Sequence, residues 1–256
     1  FSKGIQGPSL MEEMMMQAQR FGSQIIDDEV NSLDFKSQPF TVKAAQKTYH
    51  ADAIIVATGA SAMWLGLESE QRLRGRGVSA CATCDGFFFK NKDVMVVGGG
   101  DTALEEANFL TKFANSVTIV HRRDMFKASR IMQQKCFSNL KIKFLWNSAV
   151  KEILGESKVE AVSIQNTKDG SLSTIKCEGV FVAIGHRPNS EIFQSILELN
   201  EKGYIVRKSR TMTNVEGVFV AGDVYDHEYR QAVTAAGYGC EAALDAIKWL
   251  GDKAGK

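Results

Sequence analysis

The run KDVMVVGGGDTALEEANFLTKF admits few folds. A short β-branched apolar run at residues 94–97 passes through Gly98, Gly99 and Gly100 into a segment whose apolar residues recur at helical spacing. A second β-branched run, NSVTIVHRRD, follows. Strand, glycine turn, helix and strand make a βαβ unit, so a parallel sheet is expected. Gly98, Gly100 and Ala103 give the pattern G-x-G-x-x-A. The first glycine allows the tight turn, the second lets backbone N–H groups reach a pyrophosphate, and the small third residue permits close helix–strand packing. Asp101 and Thr102 open the helix, whose N-terminus favours phosphate charge, and join the candidate cofactor residues. An NAD site places an acidic residue about 20 positions beyond the glycines. Here that strand end carries His121, Arg122 and Arg123, with Lys127 one turn later. A solvated basic loop is the competing reading, but guanidinium groups at this strand end suit a 2′-phosphate and favour NADPH.

Three near-copies punctuate the chain: DAIIVATG, EGVFVAIG and EGVFVAGD, ending at Gly59, Gly185 and Asp223. Each is a buried-type run that stops at alanine and glycine, where a strand end can meet a ligand backbone closely. Unrelated core strands would share the valines; the shared exit points to a pair of related nucleotide-binding domains. GPSLMEEMMMQAQRFG reads as a helix, with Pro8 in its first turn and Gly22 at its stop. Leu10, Met14, Ala18 and Phe21 share one face and are expected in the core. Residues 24–59 and 141–176 read as strands and turns. YRQAVTAAGYGCEAALDAIKWLG reads as a long closing helix with a small-residue stripe at Ala232, Ala236, Gly239 and Ala243, and Cys240 as inert core.

The stretch RGVSACATCDGFFF sets Cys81 and Cys84 three positions apart and follows them with Asp85. A structural disulfide, half of a metal site and a redox dithiol compete. Zinc takes four ligands, usually as two paired sets. No second C-x-x-C exists, and Cys136, Cys177, Cys240 and the four histidines are scattered. An odd count of five cysteines argues for a reducing compartment, where a purely structural disulfide is disfavoured. A redox dithiol fits better. An ordinary thiol, with a pKa of about 8.5, is only slightly ionised at neutral pH and gains from local activation. Asp85 is a candidate proton donor and acceptor beside the sulfurs, against its plainer reading as a turn acid at Asp-Gly. A nicotinamide gives a hydride while a disulfide is reduced through thiolates, and a flavin is the natural converter between them.

At 256 residues the chain has room for one large domain or two of ordinary size. The 31 basic and 30 acidic side chains balance to +1, which gives no electrostatic reason to expect nucleic acid or an anionic membrane. The longest apolar stretch, residues 53–67, is interrupted by Gly59 and Gly66 and falls short of the roughly 20 residues of a membrane span. No basic-then-apolar leader opens the chain, and cytoplasm is the expected compartment.

Together GVSACATCDGFFF, VVGGGDTALEEA, VHRRDMFKA, FVAIGHRPN and GVFVAGDVYDHEYRQAVTAAGYGC span nearly the whole chain. On these motifs the sequence resembles the pyridine nucleotide-disulfide oxidoreductase family, in its low-molecular-weight, bacterial-type class that reduces thioredoxin. The resemblance implies an α/β fold of two Rossmann-like dinucleotide-binding domains. An FAD domain, residues 1–62 and 188–256, would be interrupted by an NADPH domain, residues 63–187, that carries the dithiol. It also implies FAD and NADPH as cofactors, thioredoxin as partner, a homodimer, and no nucleic acid or membrane. Carried over by motif, Cys84 is the sulfur nearest the flavin, Cys81 attacks the partner's disulfide and Asp85 is the acid–base group. Gly222, Asp223 and Val224 fall on the ribityl and phosphate side of FAD, and Arg230, Gln231 and Ala232 beside its ring. Thr58 and Gly59 close over FAD, and Gly185 is a further cofactor contact. Lys127 stands where many members carry arginine, which keeps the charge and loses bidentate pairing. Members open with a strand and a G-x-G-x-x-G turn for the FAD pyrophosphate, so roughly 55 further residues are expected before Phe1. Competing readings are a related reductase serving another disulfide protein or fed by ferredoxin, and a catalytically silent NADPH-binding module. Arg122 and Arg123 speak against ferredoxin, and the intact C-A-T-C-D run against the silent module.

Overall fold

The structure is a computed structural model that describes residues 2–45 and 47–255. The chain forms two compact units. One comprises the chain up to Gly59 together with the chain from Asn189 onward; the other is Ala60–Pro188.

The first unit begins with α1 (Gly7–Arg20), β1 (Val30–Asp34), β2 (Phe40–Ala44), β3 (Thr48–Ala51) and β4 (Ile54–Val56). A proline stands in the first turn of α1, as the sequence predicts. The expected core face is not buried, however: Met14 and Phe21 are 45% and 76% exposed. Periodicity decides which side chains share a face, not what covers it, and no described residue of α1 is buried. Strands β1, β2 and β3 form an antiparallel meander.

The second unit runs through β5 (Ala60–Ala62), α2 (Glu68–Leu73), β6 (Val78–Ser79), α3 (Ala82–Asp85), β7 (Asp93–Val97), α4 (Asp101–Leu110), β8 (Ser116–Val120) and α5 (Arg130–Phe137). It continues with β9 (Ile142–Leu145), β10 (Ser148–Leu154), β11 (Ala161–Asn166), β12 (Leu172–Lys176), β13 (Gly179–Val182) and β14 (His186–Pro188). Its centre is a parallel sheet of order β6-β13-β7-β8-β9. Alternation along β7 divides the core. Val94 and Val96 join Ala103, Leu104, Ala107 and Leu110 of α4 on one face. Met95 and Val97 meet Val162 and Ile164 of the antiparallel β10-β11-β12 sheet on the other. With both faces covered the strands are apolar throughout, and each large side chain fully buried contributes about 1.5–3 kcal/mol. Pairing of β5 with β14 places both chain crossings, expected at 62/63 and 187/188, at 59/60 and 188/189.

Back in the first unit, β15 (Val218–Val220) pairs in parallel with β4, Ile54 opposite Val218, and α6 (Ala232–Ala254) closes the chain. Two of the three near-copied runs therefore pair with each other, and the third is β13 of the other unit. Helix α6 packs Ala242, Ala246, Tyr238 and Trp249 around Phe219 and Ala221. Cys240, expected in the core, is exposed because this packed face turns it outward.

Candidate active site

Strand β6 delivers the chain to the two cysteines. Ser79 Oγ accepts the Cys81 N–H at 3.0 Å, fixing the backbone just before the single turn of α3. That turn brings Cys81 and Cys84 together in a disulfide, with Cα atoms 5.3 Å apart. Cys84 N–H donates to Cys81 Sγ at 3.2 Å, and the Thr83 hydroxyl lies 3.3 Å from the same sulfur. Cys84 is exposed and Cys81 half-buried. Asp85 donates its N–H to Cys81 O at 3.2 Å and lines a cleft of about 290 Å³ with Arg76, Phe88, Lys92 and Lys158.

The three phenylalanines that follow divide their work. Phe89 is buried, its ring centroid 5.1 Å from that of Phe181. It fills the space a Gly179 side chain would need, since a Cβ there would stand 2.3 Å from the ring. Phe87 and Phe88 are 67% and 69% exposed beside the dithiol. Exposed aromatics of this size are a feature that reading the sequence missed; only the odd clustering of three phenylalanines hinted at it.

The glycine turn joins β7 to α4. Added Cβ atoms would stand 2.4 Å from Ala183 O at Gly98 and 2.2 Å from the His121 ring at Gly99, while Gly100 has nothing within 4 Å. The turn is thus packed from beneath and open above. The expected cofactor residues separate accordingly. His121 is buried under Gly99, its Nε2 3.0 Å from Met125 O, between Phe126 and Trp146. Burial holds its pKa below the ordinary histidine value. Arg122, Arg123 and Lys127 are exposed. Their loop is stitched to the turn: Gly99 O accepts N–H bonds from Lys127 at 2.8 Å and Ala128 at 3.2 Å. Asp101 accepts from Ser129 N and Oγ at 2.9 and 2.7 Å, which holds its pKa low. Asp101 is therefore engaged in fastening the loop. Thr102 is half-buried and Ala103 fully buried against β7. Gly185, at φ +115°, bonds Met63 N–H through its carbonyl at 2.9 Å.

In the first unit, Thr58 and Asn189 exchange hydrogen bonds, Thr58 Oγ1 to Asn189 O at 2.6 Å and Asn189 Nδ2 to Thr58 O at 2.9 Å, and Gly59 O accepts from Asn189 N. Gly222 turns at φ +72° out of β15 and leads to Asp223 and Val224. Asp223 Oδ1 is buried without a hydrogen-bond partner among the described residues. Burial raises its pKa, Asp226 adds to the rise and Arg230 opposes it. Arg230 sits at φ +49° with its guanidinium on His227 O, and Gln231 precedes Ala232 at the start of α6. Among the described residues no three His, Cys, Asp or Glu side chains are grouped to hold a metal ion, and no helix is long and apolar enough to cross a membrane.

An accessible disulfide, an open glycine turn and a cationic strand end on one parallel-sheet unit define a dinucleotide-dependent disulfide oxidoreductase. The family described as pyridine nucleotide-disulphide oxidoreductase matches residues 7–239. Thioredoxin reductase of Rickettsia conorii is 53% identical over 255 residues, covering 98% of this chain and 82% of that protein. The structure of thioredoxin reductase from Giardia duodenalis superposes with a TM-score of 0.91 at 44% identity, over 96% of this chain and 82% of that one. That from Streptococcus pyogenes gives 0.92 at 38% identity, over 97% and 81%. The chain belongs to the pyridine nucleotide-disulphide oxidoreductase family and, within it, to the low-molecular-weight, bacterial-type thioredoxin reductases. It is an FAD- and NADPH-dependent oxidoreductase with the α/β fold of two dinucleotide-binding domains.

Proposed function

We propose that this chain reduces the disulfide of thioredoxin at the expense of NADPH, with Cys81 and Cys84 as the sulfurs that exchange with the partner. The observation that carries this reading is the accessible Cys81–Cys84 disulfide on the same unit as the glycine turn and its cationic loop. NADPH would lie on Gly98, Gly100 and the start of α4, with Arg122, Arg123 and Lys127 toward its 2′-phosphate. The open space above Gly100 fits a pyrophosphate there. FAD would be held by the Gly222–Val224 turn and the residues around Thr58, Gly59, Arg230, Gln231 and Ala232. The orphaned, buried Asp223 Oδ1 fits a ribityl hydroxyl as its donor. When bound, the two cofactors supply the electron pair that opens the disulfide.

The chain's own residues do the rest. The Cys81 thiolate attacks the partner's disulfide, and Cys84 resolves the mixed disulfide. Asp85, one residue past Cys84, exchanges the proton as the dithiol forms and closes. Phe87 and Phe88 offer the partner apolar flanks beside the sulfurs. In the same reading the protein works as a homodimer in the cytoplasm; its free thiols Cys136, Cys177 and Cys240 support a reducing compartment. Cys84→Ser tests the assignment: thioredoxin reduction should fall to background while NADPH still bleaches the flavin. Continued thioredoxin turnover by the variant would overturn it.

A further inference from the structure

We infer that the Thr83 hydroxyl is a catalytic group that donates to Cys81 Sγ and makes Cys81 the sulfur that carries negative charge when the disulfide opens. This deepens the thioredoxin-reducing reading above and rests on it for the direction of electron flow. Two donors face Cys81 Sγ, the Cys84 N–H at 3.2 Å and the Thr83 hydroxyl at 3.3 Å. A disulfide sulfur bears no hydrogen, so in this state the hydroxyl must be the donor. Among the described residues no hydrogen bond reaches Cys84 Sγ, so the pair is polarised toward Cys81. Ser79 Oγ holds the Cys81 backbone from the other side, and the β-branch of Thr83 restricts its χ1.

The consequence follows from the change in charge. A neutral disulfide sulfur is a weak acceptor, whereas a thiolate in the same place accepts charge-assisted bonds roughly twice as strong. The two donors therefore stabilise the opened state more than the closed one, which is the condition for lowering a barrier. In the forward reaction the Cys81 thiolate gives its electron pair to one sulfur of the partner's disulfide, whose other sulfur leaves as a thiolate. The Cys84 thiolate then attacks Cys81 Sγ, remaking the Cys81–Cys84 bond and expelling the second partner sulfur. Two electrons pass to the partner, and its two thiolates take up two protons.

The test needs no thioredoxin. Holoenzyme reduced anaerobically with excess dithiothreitol is desalted and pulsed with iodoacetamide, and fragmentation of peptide 77–90 in the mass spectrometer resolves labels on Cys81 and Cys84. In Thr83→Val the Cys81 labelling rate should fall about tenfold near pH 7 and converge with the native rate near pH 10, where both thiols are ionised. Thr83→Ser, which keeps the donor, should label at the native rate. A Val variant with native labelling, a Ser variant as slow as Val, or a deficit that persists near pH 10 would each overturn the inference. A failure of thioredoxin turnover with the labelling pattern as expected would instead count against the functional reading alone.

Discussion

A Gly99→Ala substitution drives a methyl group into the His121 imidazole. The new Cβ would stand 2.2 Å from Cε1 and Nδ1 and 2.8 Å from Nε2, where ordinary contact begins at 3.4 Å. The ring has little room to retreat: it is 9% exposed, lies 5.5 Å from the Phe126 ring, and is tied to Met125 O. The turn cannot lift freely either, because Gly98 packs against Ala183 O. Forcing a methyl into such a site costs about 1–3 kcal/mol. The displacement also reaches function, since Gly99 O anchors the N–H groups of Lys127 and Ala128 in the loop that carries the cations. Denaturant titration should show the stability loss. Steady-state kinetics should show a KM for NADPH raised roughly tenfold with kcat nearly unchanged, the signature of lost ground-state binding. Adding His121→Ala removes the obstacle, so the double variant should recover part of both effects, with a coupling of about 0.5–3 kcal/mol. Native stability in Gly99→Ala, or strict additivity in the double variant, would refute the packing argument.

Other consequences can be checked separately. Arg122→Ala or Arg123→Ala should raise the KM for NADPH by roughly tenfold or more and leave that for NADH nearly unchanged, because only the former carries the 2′-phosphate; equal losses for both nucleotides would place these arginines elsewhere. Burial holds the His121 pKa below its ordinary value, with a smaller push from Arg123 and Arg122 and opposition from bonds to the Met125 and Gly98 backbone. Protonation therefore favours the unfolded chain, so the stability in question is complete above about pH 6.5 and declines as pH falls, by at most about 1.4 kcal/mol per pH unit. His121→Gln should flatten that part of the stability–pH curve. Burial pushes the Cys136 thiol up to about 11 and the Cys177 thiol up to about 12, while Cys240 is exposed. Alkylation of the native protein near pH 8 should mark Cys240 and spare the other two.

The features legible in the sequence were those set by local rules. The glycine turn could be read because backbone geometry and close packing demand particular residues at fixed spacing, and the fold keeps Gly98, Gly99 and Ala103 in that packing. The dithiol was legible because three residues of separation suffice to bring its sulfurs together. What stayed hidden depends on partners distant in the chain. His121 shares a tripeptide with Arg122 and Arg123, yet it turns inward under a glycine 22 positions earlier, and only the tertiary fold decides that. Asp101, counted among the candidate cofactor residues, is engaged by Ser129, 28 positions further on. Glu70 gave no signal at all: fully buried, it accepts the N–H groups of Leu65 and Gly66. The exposed apolar face of α1 and the outward Cys240 fail in the opposite direction, since helical spacing cannot say which stripe is covered.

The most direct test of the central claim follows the two sulfurs through one turnover. Holoenzyme is treated anaerobically with NADPH, then mixed with oxidised thioredoxin, and both stages are quenched with acid and alkylated. The account expects Cys81 and Cys84 to be labelled after NADPH, then protected once thioredoxin is added, as the label moves to the thioredoxin cysteines. Labels that stay on Cys81 and Cys84 while thioredoxin remains oxidised, or thioredoxin reduced while these two sulfurs never open, would contradict it.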